Sequence, residues 1–369
     1  MNSVLFSPLT LRGLTLPNRV IVSPMCQYSA IEGVAQDWHL MHLGQLAISG
    51  VGLVIAEATA VEPRGRITPQ CLGLYSDETE AALQRVVAFC RQHGTAKLGI
   101  QLAHAGRKAS NHRPWEGRHA LAAHEGAWQT VSSTDQPHDT GWPTPMALDH
   151  AGMEQVQAAF VSAVQRCARL DLDLIEIHAA HGYLLHAFLS PLANRRQDAY
   201  GGSLENRMRF PLEVFEAMRA AWPAQKPLGL RISTTDWVAG GWTPDEAVVF
   251  ARALKQRGCD YITASSGGIS EQQHIPLQPG YQVPFAAQIR KEADIPTMAV
   301  GMIFDPQHAE AIVAHGEADM VGLARGLLFD PHWAWTASVA LEEQITPPPQ
   351  YARAYDFRFL RDMRAGHRG

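Results

Sequence analysis

Short apolar, β-branched runs recur along this chain, and between them apolar residues follow a helical period. The runs are Arg19–Pro24, Gly52–Ala58, Lys97–Ala103 and Leu172–Ala179, then Pro227–Ser233, Cys259–Ser266, Ile295–Gly301 and Ala318–Ala324. Continuous apolar runs of this length suit strands buried on both faces of a parallel sheet. In one intervening stretch Leu83, Val86, Val87 and Cys90 fall at i, i+3, i+4 and i+7, and Gly94 supplies a stop. Thr243-Pro244-Asp245-Glu246 predicts a capped helix start, Asp305-Pro306 predicts another, and Gly258 and Gly316 stand where helices should end. Eight strands alternating with helices predict an α/β fold, a (β/α)8 TIM barrel ahead of an open doubly wound sheet.

The rhythm breaks twice. Residues 111–149, after the third strand, are rich in Pro, His, Trp, Ser and Thr. A loop of that length is usually functional or a lid. Beyond Ala334 a Pro-led stretch forms a C-terminal extension. The 369 residues therefore read as one domain, with the barrel at about 18–335 and a tail at 336–369.

Composition narrows the function. Apolar residues make up 46% and charged residues 18%, so a large core can be buried. The net charge is −5 and no Lys/Arg block is interleaved with aromatics, which argues against nucleic acid or an anionic membrane as partner. The longest apolar run, Leu46–Val61, carries Glu57 and is too short to span a bilayer. Five cysteines, an odd number with no CxxC spacing, fit a reducing cytoplasm better than a disulfide framework.

A barrel places its chemistry where strands end at their C-terminal side. Ser23, Pro24, Met25, Cys26, Gln27 and Tyr28 follow the first strand, and Gln101 and His104 close the third. The fourth ends at His178 with His181 and Tyr183 beyond, Arg231 sits in the fifth, and the sixth ends in Ser265 to Gly268. Gly301 and Ala324-Arg325 end the last two. Gly-rich turns with an Arg suit a phosphate group. No GxGxxG both follows a strand and opens a helix, so a dinucleotide fingerprint is not supported.

The histidine pair has three readings. As metal ligands His178 and His181 would need a third ligand from another strand. As a structural pair they would do nothing chemical. As two imidazole donors they would polarise a substrate oxygen, with Tyr183 delivering a proton. Cys26 is either a small buried hydrophobe or, from its place at the rim, functional. His39, His42, His93 and His308 sit in helical stretches as structural or surface groups.

Six segments resemble one family. They are NRVIVSPMCQYSA (18–30), EATAVEPRGRITP (57–69), GIQLAHAGRKAS (99–110), the stretch from Glu176 to Phe210, GYQVPFA (280–286) and GLARGLLFDP (322–331). They resemble the Old Yellow Enzyme group of flavin-dependent ene-reductases, most closely its thermophilic-like subclass, the NADPH dehydrogenase or xenobiotic reductase branch. The resemblance implies noncovalent FMN, lined by Ser23, Pro24, Met25, Cys26 and Ala58. It implies Gln101 at the pyrimidine edge, Arg231 near the N1 and C2 carbonyl side, and Ser265, Gly301, Ala324 and Arg325 at the phosphate. His178 and His181 would bind the substrate oxygen and Tyr183 would donate the proton, with Tyr28 and Cys26 against the substrate. Arg353 would reach into a neighbouring subunit, which implies a homodimer or a dimer-based tetramer with the tail at the interface. The implied reaction is ping-pong reduction of an activated alkene, an α,β-unsaturated carbonyl or nitro compound, by NADPH or NADH. Two rivals stand beside it: a metal-dependent barrel hydrolase using His178 and His181, and a non-catalytic flavin-binding module.

Overall fold

The computed structural model describes residues 3–117 and 119–353. Eight parallel strands close into a barrel: β1 (Val20–Val22), β2 (Leu53–Ala60), β3 (Lys97–Ala103), β4 (Leu174–Ala179), β5 (Leu228–Ser233), β6 (Ile262–Ser265), β7 (Thr297–Ala299) and β8 (Met320–Leu323). Each strand pairs with the next in sequence and β8 returns to β1, so the TIM barrel is complete. Every apolar run of the sequence holds one stave. Most staves are shorter than their run, because terminal residues such as Pro24 and Gly301 have left the ladder to form the rim.

The helices follow the strands as α1 (Asp37–Ala47), α2 (Asp77–His93), α3 (His150–Arg169), α4 (Leu184–Leu189), α5 (Leu204–Ala221), α6 (Pro244–Gln256), α7 (Val283–Ala293), α8 (Pro306–Ala314), α9 (Arg325–Phe329) and α10 (Trp333–Ala340). In α2 Leu83, Val86, Val87 and Cys90 are the buried face. Thr243 caps α6 by accepting from the Glu246 N–H, and Asp305 caps α8 from His308. Helix α10 runs past position 335, where the sequence rhythm fades, because Trp333, Ala334 and Ala337 still bury one face.

Two apolar layers result. The larger lies between staves and helices. The smaller fills the barrel with Ile21, Leu53, Ile55, Leu174, Tyr261, Met298 and Met320. It also takes in Leu11 and Leu16 from a hairpin, Leu9–Leu11 with Leu14–Leu16, that the sequence pattern does not announce. Strands of three residues are too short for a periodicity to register.

Residues 111–149 carry short turns and a two-residue strand pair, Val131–Ser132 with Met146–Ala147. The Arg196 guanidinium clamps this segment by donating to the Ser133 and Leu148 carbonyls at 2.8 and 2.6 Å. At its near end Trp115 meets the edge of Tyr28, with ring centroids 5.7 Å apart. Among the described residues no helix is long and apolar enough to cross a membrane.

Candidate active site

The turn after β4 organises the rim. His181 takes a positive φ of 59°, and Gly182 follows at 77°. A side chain on Gly182 would place its Cβ 2.1 Å from the Gly268 carbonyl oxygen, so only glycine lets the β4 and β6 exits touch. The Gly182 N–H donates to His186 Nδ1 at 2.9 Å, and His186 Nε2 lies 3.0 Å from Asp236 in a fully buried pair. The Lys108 ammonium donates to the His181 and Gly268 carbonyls, both at 2.9 Å, and lies over the Tyr183 ring. Tyr28, Ser110, Trp237 and Met302 also hold positive φ at or beside this mouth. Strain of that kind in non-glycine residues costs about 1–3 kcal/mol each and tends to collect at functional sites.

The imidazoles form a directed chain. His178 Nδ1 accepts from the Ala180 N–H at 3.2 Å, which places the His178 proton on Nε2. That proton faces His181 Nδ1 at 3.2 Å, so His181 also carries its proton on Nε2, 2.7 Å from Ser265 Oγ. Burial first, and the Arg231 guanidinium second, hold both rings well below the ordinary histidine range. Both are therefore neutral N–H donors across the neutral pH range. The sequence reading has the two donors converging on one oxygen. Here His178 donates to His181 and His181 donates to Ser265 instead. Tyr183 stands beside His178 with ring centroids 4.8 Å apart.

His181 and Ser265 also border a cleft with about 620 Å³ of open space. Ser23, His181, Arg231, Ser265, Gly301, Ala324 and Arg325 line it. Two of its polar atoms, Ser23 Oγ and Arg231 Nε, are buried without a hydrogen-bond partner. A Cβ on Gly322 would sit 2.7 Å from Ser23 Oγ, so the wall is cut back at that point. Orphaned donors facing an open cleft are the signature of a ligand-binding surface. The donor set, one guanidinium in the barrel, a second at the rim and hydroxyls between, fits an anionic group joined to a polar ring system.

Cys26 is half-buried on the loop after β1, and burial first, then Cys71 and Glu57, push its thiol well above the ordinary range. It is a neutral thiol here. That loop is pinned by Glu57, which accepts from the Gln27 N–H at 3.1 Å and lies 3.4 Å from His39. Glu57 reaches them from a bulge in β2 between Ala56 and Ala58. Ala58 is buried beside Gln101 in the ladder. Pro24, Met25 and Tyr28 are part-exposed along the same loop. Arg353 is exposed at the end of the described chain, and the rest of the expected interface tail, 354–369, lies outside the described residues. The sequence did not single out Lys108, His186, Asp236 or Gln282, although the buried Gln282 accepts from Ser266 Oγ at 2.6 Å behind the cleft. Their partners lie tens of residues away in sequence, so spacing carries no signal for them.

The model of the NADH:flavin oxidoreductase / NADH oxidase family matches residues 4–344. The chain belongs to this family. Membership makes it a flavin-dependent oxidoreductase whose cofactor is FMN, and the resemblance to the Old Yellow Enzyme group holds. The family includes the NADPH dehydrogenase of Geobacillus thermodenitrificans (strain NG80-2), 44% identical over 359 residues, which are 97% of this chain and 100% of that relative. Among solved structures, morphinone reductase superposes with a TM-score of 0.77 at 28% identity, covering 95% of this chain and 93% of that one. A structure of morphinone reductase in complex with tetrahydroNAD gives a TM-score of 0.76 at 27% identity, over 95% and 94% of the two chains.

Proposed function

We propose that this oxidoreductase is an NAD(P)H-dependent ene-reductase acting on small activated alkenes, with the β4 exit as its chemical centre. The observation that carries the reading is the pair of neutral, Nε2-protonated imidazoles beside a tyrosine, at the lip of a cleft with unpartnered donors.

FMN held here would supply hydride transfer between a reduced nicotinamide and the alkene carbon. Ser265, Gly301, Ala324 and Arg325 would hold its phosphate, and Ser23, Gln101 and Arg231 its ring system. Pro24, Met25 and Ala58 would flank the ring. His178 and His181 exchange their present acceptors for the substrate's carbonyl or nitro oxygen and stabilise the charge that develops there. Tyr183 donates its hydroxyl proton to the neighbouring carbon, and Lys108 over its ring favours the phenolate that remains. Tyr28 and the neutral Cys26 thiol wall the substrate. Arg353, exposed on the chain's last described turn, would enter a second subunit's mouth, so the working unit is a homodimer or a dimer of dimers.

The test is spectroscopic. The purified protein is yellow, anaerobic NADPH bleaches it, and 2-cyclohexenone restores the colour. Bleaching without restoration would favour the non-catalytic flavin module. A colourless protein carrying stoichiometric zinc would favour the hydrolase; among the described residues no three His, Cys, Asp or Glu side chains are placed to hold a metal ion.

A further inference from the structure

Glu176 is completely buried inside the barrel, an unusual place for a carboxyl group. It lies on β4 two residues before His178, opposite Gln101 of β3 and Gly229 of β5. The period of two puts Glu176 and His178 on the same inner face, one layer apart. Glu176 Oε1 accepts from Gln101 Nε2 at 2.7 Å. Its Oε2 accepts from the Thr263 hydroxyl and, at 3.5 Å, from the Tyr261 hydroxyl. Gly229 makes room for this arrangement, since a Cβ there would come within 2.2 Å of the Tyr261 ring. Both oxygens thus face groups that can donate, which together with Arg231 favours the ionised form, while complete burial pushes the carboxyl's pKa up. Arg231, opposite His178 on β5, acts on it through space without a hydrogen bond.

Two consequences follow from this geometry. A carboxylate can only accept, so the Gln101 amide must turn its NH2 inward, and its carbonyl is left to accept from whatever occupies the cleft. The charge of Glu176 also offsets part of the Arg231 charge. A flavin gains negative charge when reduced, so a nearby cation raises its potential and a nearby anion lowers it.

We propose that Glu176 is a positioning residue for the flavin, fixing the amide of Gln101 and tempering Arg231 so that the reduction potential is held down. The proposal rests on the reading that places Gln101 and Arg231 at the flavin ring. No residue of the proposed substrate chemistry is involved, and the role extends from the barrel interior to the cofactor through two side chains.

The experiment measures the potential of the bound flavin in Glu176→Gln by equilibrium reduction against a reference dye, together with FMN release from the diluted holoenzyme. The glutamine amide cannot accept from all three donors. FMN binding therefore weakens about ten-fold, the effect of one unmatched buried donor. The potential becomes more positive than in the parent. An unchanged potential, with or without weaker binding, overturns the proposal and leaves Glu176 as a structural group. Should Glu176→Gln not fold, Thr263→Val keeps the carboxylate but removes one donor. The carboxylate then takes up a proton more readily, and the potential shifts upward by a smaller amount; no shift overturns the proposal equally. A parent protein that purifies without FMN would instead defeat the underlying cofactor placement, a result visible before any variant is made.

Discussion

The two sides of the barrel mouth treat their polar groups in opposite ways. At the β4 exit the donors and acceptors close on themselves: Ala180 to His178, His178 to His181, His181 to Ser265, and Lys108 onto two carbonyls. In the adjoining cleft Ser23 Oγ and Arg231 Nε are buried with no hydrogen-bond partner in the protein. The first is a preorganised set, fixed by its own hydrogen bonds. The second is unfinished within the protein, with donors left over toward the cleft. Catalysis by donors fixed in advance needs little reorganisation at the moment of reaction, while binding strength comes from groups that gain partners.

The strongest way to break this contrast is on the preorganised side. Tyr183→Phe removes the proposed proton donor and leaves its ring against His178. Alkene reduction should fall by about 10²- to 10⁴-fold, the usual worth of a general acid. Bleaching by NADPH should stay near the parent rate. Stopped-flow traces of the two half-reactions separate the outcomes, and equal loss in both would remove Tyr183 from its role.

On the unfinished side the expected effect is smaller and of a different kind. Arg325→Met deletes the proposed charged contact to the phosphate. FMN affinity should drop by about 10- to 100-fold. Turnover at saturating FMN should change little. A variant that binds FMN as tightly as the parent would show that the rim guanidinium faces something else.

The acid limb of stability sharpens the same contrast, because the self-satisfied side is built from uncharged imidazoles. His178 and His181 on that side are held well below their ordinary range, and elsewhere His42 and His138 are pushed down to about 4 and about 3, all chiefly by burial. The unfolded chain takes up protons near pH 6.5 while these folded sites do not, so stability is full above that pH and is lost as pH falls. Between pH 7 and 6 each such histidine removes about 0.7 kcal/mol. Urea unfolding at the two pH values measures the slope. A free energy that stays flat down to pH 5 would mean the imidazoles are not neutral in the folded protein.

The staves were legible in the sequence because strands buried on both faces leave unbroken apolar runs, and Lys97–Ala103 matches at both ends. The rim was legible for the same reason: polar residues near the C-terminal end of a run, such as His178 and Arg231, fall at the mouth. What the sequence withheld were the groups that hold those residues in place. Glu176 is hidden within an apolar run, and its partner Thr263 stands 87 residues away. Asp236 meets His186 only because the β4 and β5 exits are neighbours in the closed barrel. The hairpin at Leu9–Leu16 is below the length at which alternation can be seen.

The long segment 111–149 was legible only as a loop, and it offers the mildest test. Trp115 is 64% exposed, yet it meets Tyr28 edge-on, and the Arg113 guanidinium lies 5.3 Å from its ring. Tyr28 itself sits at a φ of 50°, a conformation that needs support from its neighbours. Each aromatic or cation–π contact of this kind contributes about 0.5–1.5 kcal/mol. Trp115→Ala should therefore raise KM a few-fold for alkenes with bulky ring substituents and leave 2-cyclohexenone almost untouched. FMN binding should not change, since the residue touches neither side of the cleft. Equal KM changes for large and small alkenes would show that Trp115 supports Tyr28 alone, whereas a size-dependent change makes the loop a third wall of the mouth, added to the barrel rather than built from it.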